Sequence, residues 1–436
     1  MRWFEAGKSS RYPLTMDATL SDIVADTAAA KSAARTLASA STESKNRALE
    51  AIAAGLTDSV ESILEANAED LADERAQSLT SALVDRLTLT AERIEAMAAG
   101  TREVAALDDP VGEELETSTL DNGLDLKKVR VPLGVVAVVY EARPNVTIDC
   151  AALTIKSGNA ILLRGSSYAE RTNGALAAVV RDGLAEAGLP ADSVVLSTGG
   201  GRDALAGLAT QEGVVDLLIP RGGEGLKNAL KEVATVPVLY AASGNCHVYV
   251  HADADLEMAR AIAFNAKVSR PGVCNAAETL LVDGQVAAAF LPPVLEQLAE
   301  AGVELVGDER ARENAGGTEV HMAVHDDWDT EFLDLKLAVA VVDDLDAAIE
   351  HVNRHGSGHS EAIVTENSQA ADIFAENVDA AAVYVNASTR FTDGFEFGMG
   401  AEIGVSTQKL HARGPIGLRE LTTFKYIGRG NGQIRG

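Results

Sequence analysis

Hydrophobic and polar positions divide the chain into a helical first quarter and a longer part in which strands and helices alternate. From about Leu20 to Arg102 the apolar residues recur at helical spacing, which predicts three or four helices. Between Pro110 and Val131 the pattern changes to an alternation carried by Leu120, Leu124 and Leu126. That stretch predicts a hairpin or projecting strands rather than part of a core.

A continuous apolar run at Val131–Tyr140 opens the alternating part and predicts a buried strand. Strands and helices that alternate at this length predict an α/β fold, with a parallel sheet covered by helices on both faces. The Gly-rich end, Ile427–Gly436, predicts a loosely held tail. Further strands are predicted at Ala160–Arg164, Val194–Ser197, Val214–Pro220, Val236–Tyr240, Glu278–Val282, Ala338–Val342, Ala362–Thr365 and Ala382–Asn386, with helices between them that include Thr147–Lys156 and Ala169–Ala187.

Charge and composition exclude several classes of protein. The 436 residues carry 37 Lys and Arg against 65 Asp and Glu, a formal net charge of −28. A chain this acidic is a poor candidate for binding nucleic acid or an anionic membrane. Its longest apolar run is about half of the roughly 20 residues that a membrane-spanning helix needs. The three cysteines form neither a disulfide framework nor a metal-binding spacing, which indicates a reducing, cytoplasmic location.

The basic residues are unevenly divided, since only 12 of the 37 are lysines. An acid excess with few lysines and many alanines is typical of proteins from salt-adapted, halophilic organisms. The alternative is an ordinary acidic enzyme of the cytosol. In molar salt the Debye length falls to about 3 Å, which largely screens the repulsion among acidic side chains.

One cysteine stands in a context that suits chemistry. Cys274 follows a Pro-Gly turn in SRPGVCNAAETLLV, so that a loop can present its thiol to a cleft. A thiol with a pKa of about 8.5 is only a few per cent thiolate at neutral pH, yet it is a strong nucleophile. A lone cysteine is more often a small buried hydrophobic residue, so Cys274 alone leaves both interpretations open.

Long segments, in order along the chain, carry a resemblance to one family. They are VPLGVVAVVYEARPNVTIDCAALTIKSGNAILLRGSS (131–167), IPRGGEGL (219–226), SRPGVCNAAETLLV (269–282), GSGHSEAIVT (356–365), VYVNASTRFTDGFEFGMGAEIG (383–404) and STQKLHARGPIGLREL (406–421). From about Met16 onwards the chain resembles the gamma-glutamyl phosphate reductases (glutamate-5-semialdehyde dehydrogenases), a branch of the aldehyde dehydrogenase superfamily. The resemblance implies a cytoplasmic enzyme of proline biosynthesis, which reduces L-glutamyl 5-phosphate with NADPH and releases phosphate.

The resemblance implies roles for two catalytic residues and the absence of a third. Cys274 falls at the position of the nucleophile, which forms a thioester with the acyl phosphate. Asn145, in ARPN, falls at the oxyanion-hole asparagine, with the Cys274 N–H as second donor; taken alone, Asn145 is an Asx-type cap of the following helix. Ala241 stands where aldehyde-oxidising relatives have a glutamate that activates water. A thioester that awaits hydride needs no such base, so Ala241 favours phosphate-dependent chemistry.

The resemblance also implies a contact with the cofactor pyrophosphate. Arg221, Gly222 and Gly223 lie between a predicted strand and a predicted helix. A glycine pair there lets backbone N–H groups and the positive end of a helix approach a pyrophosphate. The alternative is an ordinary turn, since glycine pairs after strands are common.

Four further residues are implied in cofactor binding. Arg164 falls at the ribose-binding lysine position of the superfamily and is followed by Ser166. Ser167 stands where NAD-preferring relatives often carry an acid. A guanidinium without a nearby carboxylate tolerates a 2′-phosphate, so the expected cofactor is NADPH. Glu331 falls at the glutamate that orients the nicotinamide ribose, or else it is a solvated loop acid.

Glutamyl phosphate carries an ammonium, a carboxylate and a phosphate, so its pocket needs an acid and several cations. The candidate contacts are Glu141 and Arg143 close to Asn145, Arg270 just before the nucleophile, and Arg390 in ASTRFTDG. Structural ion pairs are an equally open explanation for each of them. Cys150, Cys246 and His359 are expected to be buried structural residues, and no metal site is expected.

The expected organisation has three parts besides an N-terminal extension at residues 1–15, which is either a floppy segment or a mis-assigned start ahead of Met16. The NADP-binding domain comprises residues 16–116 and 131–241, and the catalytic domain comprises 242–415. Residues 117–130 and 416–436 form an oligomerisation element. An exposed strand there is an unprotected sheet edge unless another copy covers it, so a homo-oligomer of at least two chains is expected.

Two other functions stay open at this stage. One is another acyl-transferring aldehyde dehydrogenase, for example a CoA-dependent enzyme, whose reaction ignores phosphate. The other is a non-catalytic homologue that serves as a binding or regulatory subunit of glutamate 5-kinase. An association of the active enzyme with glutamate 5-kinase is also left open.

Overall fold

The structure, a computed structural model, describes residues 18–241 and 243–435. The expected N-terminal extension at residues 1–15 lies outside the described residues. Within the described part, five α-helices precede the first strand: α1 (Ala18–Leu37), α2 (Thr42–Asp58), α3 (Val60–Ala72), α4 (Ser81–Leu87) and α5 (Ala91–Ala106). The prediction of three or four helices is therefore short of the observed number, because α4, with seven residues, is too brief to show an apolar period.

An antiparallel hairpin follows these helices, as the alternating pattern predicted. It consists of β1 (Glu114–Thr119) and β2 (Asp125–Pro132). All six residues of β1 are exposed, and most of β2 is only half-buried. The hairpin therefore projects from the body of the protein.

A four-stranded parallel sheet forms the next part of the chain. Its elements are β3 (Val135–Tyr140), α6 (Asn145–Lys156), β4 (Ala160–Gly165), α7 (Glu170–Glu186), β5 (Val194–Leu196), α8 (Gly201–Ala209), β6 (Leu217–Arg221) and α9 (Glu224–Val233). The strand order is β5-β4-β3-β6, and all neighbouring strands are parallel.

Helices cover both faces of this sheet, as the alternating side chains of β3 show. Val136 and Val138 pack in one hydrophobic cluster with residues of α2, α5, α6 and α7. Val135 and Ala137 point to the opposite face and pack in a second cluster with residues of α1 and α8. The predicted α/β fold with helices on both faces is confirmed.

Two strand predictions in this part are wrong. The run Val131–Tyr140 is not one strand, because Gly134 has φ +131° and a Cβ on it would lie 2.1 Å from Oδ2 of Asp216. The chain turns there between β2 and β3. The segment Val236–Tyr240 forms only an isolated bridge to β6, since Pro237 removes a donor from the ladder.

A seven-stranded parallel sheet holds the second half of the chain. Its elements are β7 (Cys246–Val250), α10 (Leu256–Val268), β8 (Ala277–Asp283), α11 (Ala287–Glu300), β9 (Glu304–Gly307), α12 (Glu309–Glu313), β10 (His321–Met322), β11 (Lys336–Val342), α13 (Leu345–His355), β12 (Ser360–Val364), α14 (Ser368–Asn377) and β13 (Ala382–Val385). The order is β10-β9-β11-β8-β7-β12-β13. The sequence pattern did not predict β7, with five residues, or the shorter β9 and β10, with four and two.

The last strands return to the hairpin. They are β14 (Val405–Ser406), β15 (Gly414–Pro415) and β16 (Thr422–Arg429). β16 pairs antiparallel with β2, which gives a three-stranded sheet in the order β1-β2-β16. The predicted loose tail is wrong as far as Arg429, because Ile427–Arg429 pairs with Asp125–Lys127. Among the described helices, none is long and apolar enough to cross a membrane.

Candidate active site

The site lies where the carboxyl end of the four-stranded sheet meets the amino end of the seven-stranded sheet. β4 and β5 lie on one side of β3, and β6 lies on the other. Ligands of open α/β sheets bind at such a switch point, beyond the carboxyl ends of the strands. Residues 141–143 follow β3 and residues 222–223 follow β6, while residues 270–275 precede β8 in the opposite wall.

A cavity of about 480 Å³, here called the catalytic cavity, occupies this junction. Ala241, whose side chain is a methyl group, is part of its wall. The predicted site residues that line it come from separate segments of the chain: Glu141, Arg143, Arg221, Gly222, Gly223, Arg270, Cys274, Glu331 and Arg390. Folding therefore brings together most of the residues that the resemblance singled out.

The backbone around Cys274 is held by groups at the amino end of the larger sheet. Sγ of Cys246, at the start of β7, donates to the carbonyl oxygen of Cys274 over 3.2 Å. Gly244 lies so close that a Cβ on it would fall 1.5 Å from the same oxygen. The next residue, Asn275, donates from Nδ2 to the carbonyl oxygen of Thr392 over 3.0 Å. These contacts fix the half-buried thiol on the cavity wall.

The resting state of Cys274 is a neutral thiol. Burial raises its pKa to about 11, the negative charges of Glu402 and Glu331 act in the same direction, and Arg221 opposes them. At pH 7 a far smaller fraction of this thiol is then ionised than of a free cysteine. The proton of the thiol must therefore be removed when the sulfur reacts.

Glu331 is not a solvated loop acid. Its Oε1 accepts a hydrogen bond from the backbone N–H of Gly244 over 2.6 Å. Its loop is held by a second bond, from the backbone N–H of Leu333 to Oε1 of the buried Glu278 over 3.1 Å. The carboxylate therefore has a fixed place in the cavity of Cys274, and its role toward a nicotinamide ribose stays a prediction.

Asn145 is not among the described residues that line the catalytic cavity. It is the first residue of α6, is exposed, and donates from Nδ2 to Oδ2 of Asp149 over 2.9 Å. Pro144 occupies the N-cap position, so the capping interpretation of Asn145 is wrong. Burial raises the pKa of Asp149 to about 6, which still leaves it mostly ionised at pH 7. The oxyanion role of Asn145 stays a prediction.

Among the residues that the structure describes, cationic side chains outnumber acidic ones on the wall of the catalytic cavity. The cations are Arg86, Arg143, Arg221, Lys227, Arg270 and Arg390, and the acids are Glu141, Glu331, Asp393 and Glu402. Burial, with help from neighbouring Arg221 and Arg86, lowers the pKa of Arg143 to about 10. Arg390 donates from Nε to Oγ of Ser269 over 3.1 Å. In a chain with a net charge of −28, a cation-rich cavity points to an anionic ligand.

A second cavity, of about 730 Å³, lies beyond β3, β4 and β5 and is lined by Arg164, Ser166 and Ser167. Nη2 of the buried Arg164 donates to the carbonyl oxygens of Gly199 over 2.5 Å and Gly201 over 3.0 Å. Nη1 of Arg164 and Oγ of Ser166 are buried and have no partner in the part of the chain that the structure describes. These two atoms are therefore able to form hydrogen bonds with a ligand.

Glu141 lines both cavities and marks the wall that they share. Its carboxylate accepts a hydrogen bond from the N–H of Gly223, the N-cap residue of α9, over 3.3 Å. Gly222 approaches it so closely that a Cβ would lie 2.9 Å from Cδ of Glu141. The predicted cofactor residues thus divide between two adjoining cavities, an arrangement that suits an extended ligand such as a dinucleotide.

Sequence reasoning missed several residues of the catalytic cavity. Lys227 is nearly buried and donates from Nζ to Oγ of Ser243 over 3.2 Å. Glu402 and Asp393 belong to the segment 383–404 that carries the resemblance, yet no local spacing marks either of them. The resemblance of the whole segment was the only available signal for these two acids.

Residues expected to be structural are buried in the fold. They are Cys150, Cys246 and His359. Nδ1 of His359 lies 2.7 Å from Oγ of Ser360. Among residues 18–241 and 243–435, no group of three or more His, Cys, Asp or Glu side chains is arranged to hold a metal ion.

Comparisons with known proteins agree with this geometry. A family model described as "Aldehyde dehydrogenase family" matches residues 11–327 and 337–427. A gamma-glutamyl phosphate reductase of Moorella thermoacetica is 55% identical over 406 residues, which cover 93% of this chain and 97% of the relative. The enzyme of that name from Lacticaseibacillus casei is 55% identical over 420 residues, which cover 96% of this chain and 100% of the relative.

A solved structure shows the same fold. The crystal structure of gamma-glutamyl phosphate reductase from Thermotoga maritima superposes with a TM-score of 0.92 at 45% identity, and the match covers 95% of this chain and 100% of the other. The family expected from the sequence segments is confirmed. The chain belongs to the aldehyde dehydrogenase family and, within it, to the gamma-glutamyl phosphate reductases.

Proposed function

We propose that this protein reduces L-glutamyl 5-phosphate to L-glutamate 5-semialdehyde with release of phosphate, the second step of proline biosynthesis. Relatives named gamma-glutamyl phosphate reductase, 55% identical over 93% or more of the chain, support the substrate. The observation that carries the proposal is the Cys274 thiol in a cation-rich cavity whose wall has only a methyl group at Ala241. That combination suits an acyl phosphate and leaves water without a base at Ala241.

Cys274 is the proposed nucleophile. Its sulfur attacks the acyl carbon, and collapse of the tetrahedral oxyanion breaks the bond to phosphate and leaves a thioester. The backbone N–H of Cys274 and the side-chain amide of Asn145 are the proposed donors to that oxyanion. One such donor contributes about 3–4 kcal/mol to the transition state. Asn145 has to exchange its hydrogen bond to Asp149 for one to the substrate.

In this proposal, cationic side chains of the cavity wall bind the anionic groups of the substrate, and an acidic side chain binds its ammonium group. Arg143, Arg270 and Arg390 are the proposed contacts of the phosphate and the carboxylate. Glu141 is the proposed contact of the ammonium group. A guanidinium suits both anions because its planar fork of N–H groups matches the oxygens of a carboxylate or a phosphate.

NADPH is the proposed cofactor, and two cavities that share Glu141 in their walls suit an extended ligand of this kind. The orphaned Nη1 of Arg164 and Oγ of Ser166, with Ser167 beside them, offer donors to the adenosine end and its 2′-phosphate. Gly222 and Gly223 are the proposed contacts of the pyrophosphate. When bound, this cofactor supplies a hydride to the thioester carbon.

One further contact with the cofactor is proposed in the catalytic cavity. Glu331 is the proposed partner of the nicotinamide ribose, held in place by the N–H of Gly244. The same glycine touches the backbone of Cys274. Gly244 therefore contacts both the proposed ribose-binding carboxylate and the backbone that carries the sulfur.

We further infer the domain division and an oligomer. Residues 16–116 and 131–241 are the proposed NADP-binding domain, 242–415 the catalytic domain, and 117–130 with 416–436 the oligomerisation element. The separate sheet β1-β2-β16 supports this element. Phe424 and Tyr426 on β16 are 48% and 58% exposed, which suits a surface that a second copy covers. Light scattering on the purified protein tests for at least a dimer.

Salt adaptation, a cytoplasmic location and an association with glutamate 5-kinase complete the proposal. Salt adaptation rests on composition alone, and the named relatives give it no support. It is tested by the activity of the enzyme across a range of potassium chloride concentrations. A maximum in molar salt supports it, and steady inhibition from low salt onwards opposes it.

The reverse reaction is the sharpest test of the proposed function. Reduction of NADP⁺ is measured with glutamate 5-semialdehyde, in the presence and absence of inorganic phosphate. We expect a rate that depends on phosphate and that exceeds the rate with NAD⁺. A rate that does not respond to phosphate would mean that water or another acyl acceptor resolves the thioester.

Cysteine variants assign the nucleophile in the same assay. Cys274→Ala is expected to abolish turnover and to leave NADPH binding nearly intact. Cys150→Ala, which removes a thiol from the core, is the matched control and is expected to stay active. Full activity of Cys274→Ala would exclude this sulfur as the nucleophile. Addition of CoA in place of phosphate separates the CoA-dependent alternative, which the structure gives no reason to prefer.

A further inference from the structure

One acidic side chain on the wall of the catalytic cavity has no role in the chemistry described so far. Glu402 lines the cavity that holds Cys274. Its Oε2 is buried and has no hydrogen-bond partner among the described residues. A buried carboxylate oxygen without a donor is unfavourable for folding, so its place in the same cavity as the Cys274 thiol needs a functional explanation.

Contacts on both sides fix the backbone that carries Glu402. The N–H of Ile403 donates to the carbonyl oxygen of Ile416 over 2.9 Å. The N–H of Ile416 donates to the carbonyl oxygen of Gly404 over 2.7 Å. Gly394 packs so closely on the other side that a Cβ on it would lie 3.0 Å from Cβ of Glu402. A proton-transfer group needs such a supported position.

The other acids of the catalytic cavity already accept hydrogen bonds from backbone N–H groups. Those bonds fix the loops on which the cavity depends. The pairs are Glu141 with Gly223 at 3.3 Å, Glu331 with Gly244 at 2.6 Å, and Asp393 with Phe395 at 2.9 Å. Glu402 also accepts a hydrogen bond from the Gly394 backbone, but among the described acids of this cavity it is the one that keeps a buried oxygen without a partner.

We propose that Glu402 is the general base that takes the proton from Sγ of Cys274 and the general acid that delivers it to the departing phosphate. This inference rests on the proposed function. The carboxylate of Glu402 removes the thiol proton while the sulfur electron pair forms the bond to the acyl carbon. When the C–O bond to phosphate breaks, its electron pair stays on the phosphate oxygen, and Glu402 protonates that oxygen. The products are the thioester, hydrogen phosphate and the regenerated carboxylate, so protons and charge balance.

The electrostatics of the two groups agree with this exchange. Burial and the charge of Asp393 raise the pKa of Glu402 to about 7, against the effects of Arg221 and a hydrogen bond from the Gly394 backbone. A base transfers protons best when its pKa lies near the working pH. The charge of Glu402 also helps to raise the pKa of Cys274, so its protonation favours the thiolate. The other charged groups on this wall are Arg86, Arg143, Lys227, Arg270, Arg390, Glu141 and Glu331.

Alkylation of Cys274 by iodoacetamide tests the proposal without substrate or cofactor. The rate of modification at Cys274 is followed by mass spectrometry across a pH range from acid to alkaline. In the wild type we expect an inflection near pH 7, where Glu402 loses its proton. Glu402→Gln is expected to lose that inflection. Glu396→Gln, which removes an exposed acid of the same segment, is the matched control and is expected to keep the wild-type profile.

The reverse reaction adds a second readout. Glu402→Gln is expected to lower kcat at pH 7 by about 10²- to 10⁴-fold, the usual contribution of a general acid–base group. NADPH binding, followed by fluorescence, is expected to be unchanged. A variant with raised KM, unchanged kcat and an unchanged alkylation profile would assign Glu402 to the substrate ammonium and overturn the proposal.

Two outcomes of the alkylation experiment are decisive. A wild-type profile without an inflection near pH 7 overturns the role of Glu402, and this holds even if Glu402→Gln does not fold. The same inflection in wild type and in Glu402→Gln overturns it too. Because alkylation needs no glutamyl phosphate, these results are independent of the proposed function, which fails separately if phosphate has no effect on the wild-type rate.

Discussion

Gly244 lies against the backbone of Cys274 so closely that a Cβ on Gly244 would be 1.5 Å from the carbonyl oxygen of Cys274. The N–H of the same glycine donates to Glu331 over 2.6 Å. Gly244→Ala therefore has to push its own segment away from that of Cys274, and the N–H that bonds Glu331 moves with it. We expect kcat to fall by about 10²-fold or more, because misplacement by roughly 1 Å has an effect of that size. The reverse reaction measures it.

A second glycine variant controls for the general effect of such a change. Gly100 lies inside α5, and a Cβ on it would meet nothing within 4 Å. Gly100→Ala is expected to keep full activity and to stabilise the protein by about 0.5–1 kcal/mol, since alanine favours the helix. Unchanged kcat in Gly244→Ala would show that the close contact plays no part in placing Cys274.

Asn145→Ala tests the oxyanion role that the family resemblance implies. The side chain donates to Asp149 over 2.9 Å and does not cap α6. If its amide moves to the substrate oxyanion, the substitution should lower kcat by about 10²- to 10³-fold with little change in KM. The steady-state rate constants of the reverse reaction decide the matter.

A matched asparagine variant separates this effect from a loss of helix stability. Asn377 is also exposed and donates to a backbone carbonyl oxygen within its own helix, α14, over 2.8 Å. Asn377→Ala is expected to leave kcat unchanged. Asn145→Ala with normal kcat and a lowered unfolding temperature would assign Asn145 to the structure of α6 alone.

The parts of the fold that sequence reasoning predicted are those encoded in local patterns. Apolar runs at β3 and β4, each followed by a helical segment, predicted parallel strands. The residues after their carboxyl ends, such as Ser166 after β4, were singled out only by the family resemblance, and their role toward a ligand stays a prediction. The break at Gly134 was missed, because it depends on Asp216, a residue far away in the chain whose carboxylate occupies the space beside the glycine.

The parts of the candidate site that were missed depend on contacts between distant segments. Lys227 lies on α9, and its contact with Ser243 joins the wall of the first sheet to the entry of the second. The thiol of Cys246 was expected to be merely buried, yet it also bonds the carbonyl oxygen of Cys274. No spacing in the sequence records either relationship. The shift in the pKa of Cys274 to about 11 likewise arises from burial that only the folded chain produces.

The buried His247 and the half-buried His351 make stability depend on pH, as does the buried His359, whose pKa is lowered by burial to about 4. Burial lowers the pKa of His247 and of His351 to about 3, whereas an unfolded histidine has a pKa of about 6.5. In the unfolded chain these histidines therefore bind protons below about pH 6.5. In the folded chain they stay neutral until about pH 3. Both histidines thus lower the free energy of unfolding as the pH falls through this window. Urea unfolding at a series of pH values measures the slope.

His351→Phe removes one of these titrating groups. The ring of His351 packs edge-on against Trp328 at 5.4 Å between centroids, so phenylalanine keeps an aromatic ring there. We expect the pH dependence between 6.5 and 3 to become shallower by about 1.4 kcal/mol per pH unit, the value for one proton. His321→Phe, at an exposed position, serves as the control and should leave the slope unchanged. Equal slopes in the wild type and His351→Phe would place the titration elsewhere.

A buried ion pair supports the loop of Glu331. Nζ of Lys267 lies 2.5 Å from Oε2 of Glu278, and both side chains are fully buried. The other oxygen of Glu278 accepts the N–H of Leu333, whose φ is +54°. Lys267→Met leaves the carboxylate of Glu278 buried without its cation. We expect a loss of about 3–5 kcal/mol in the free energy of unfolding, measured with urea.

A double variant separates stability from loop placement. Lys267→Met combined with Glu278→Leu replaces the pair with apolar groups of similar size, and most of the lost stability should return. Glu278→Leu removes the acceptor of the Leu333 N–H, so the loop that carries Glu331 is held less firmly in the double variant. Its kcat should therefore stay below the wild-type value. The single variant should also lose less stability at low pH, because protonation of Glu278 removes the unpaired charge. Recovery of both stability and kcat in the double variant would contradict the link from Glu278 through Leu333 to Glu331.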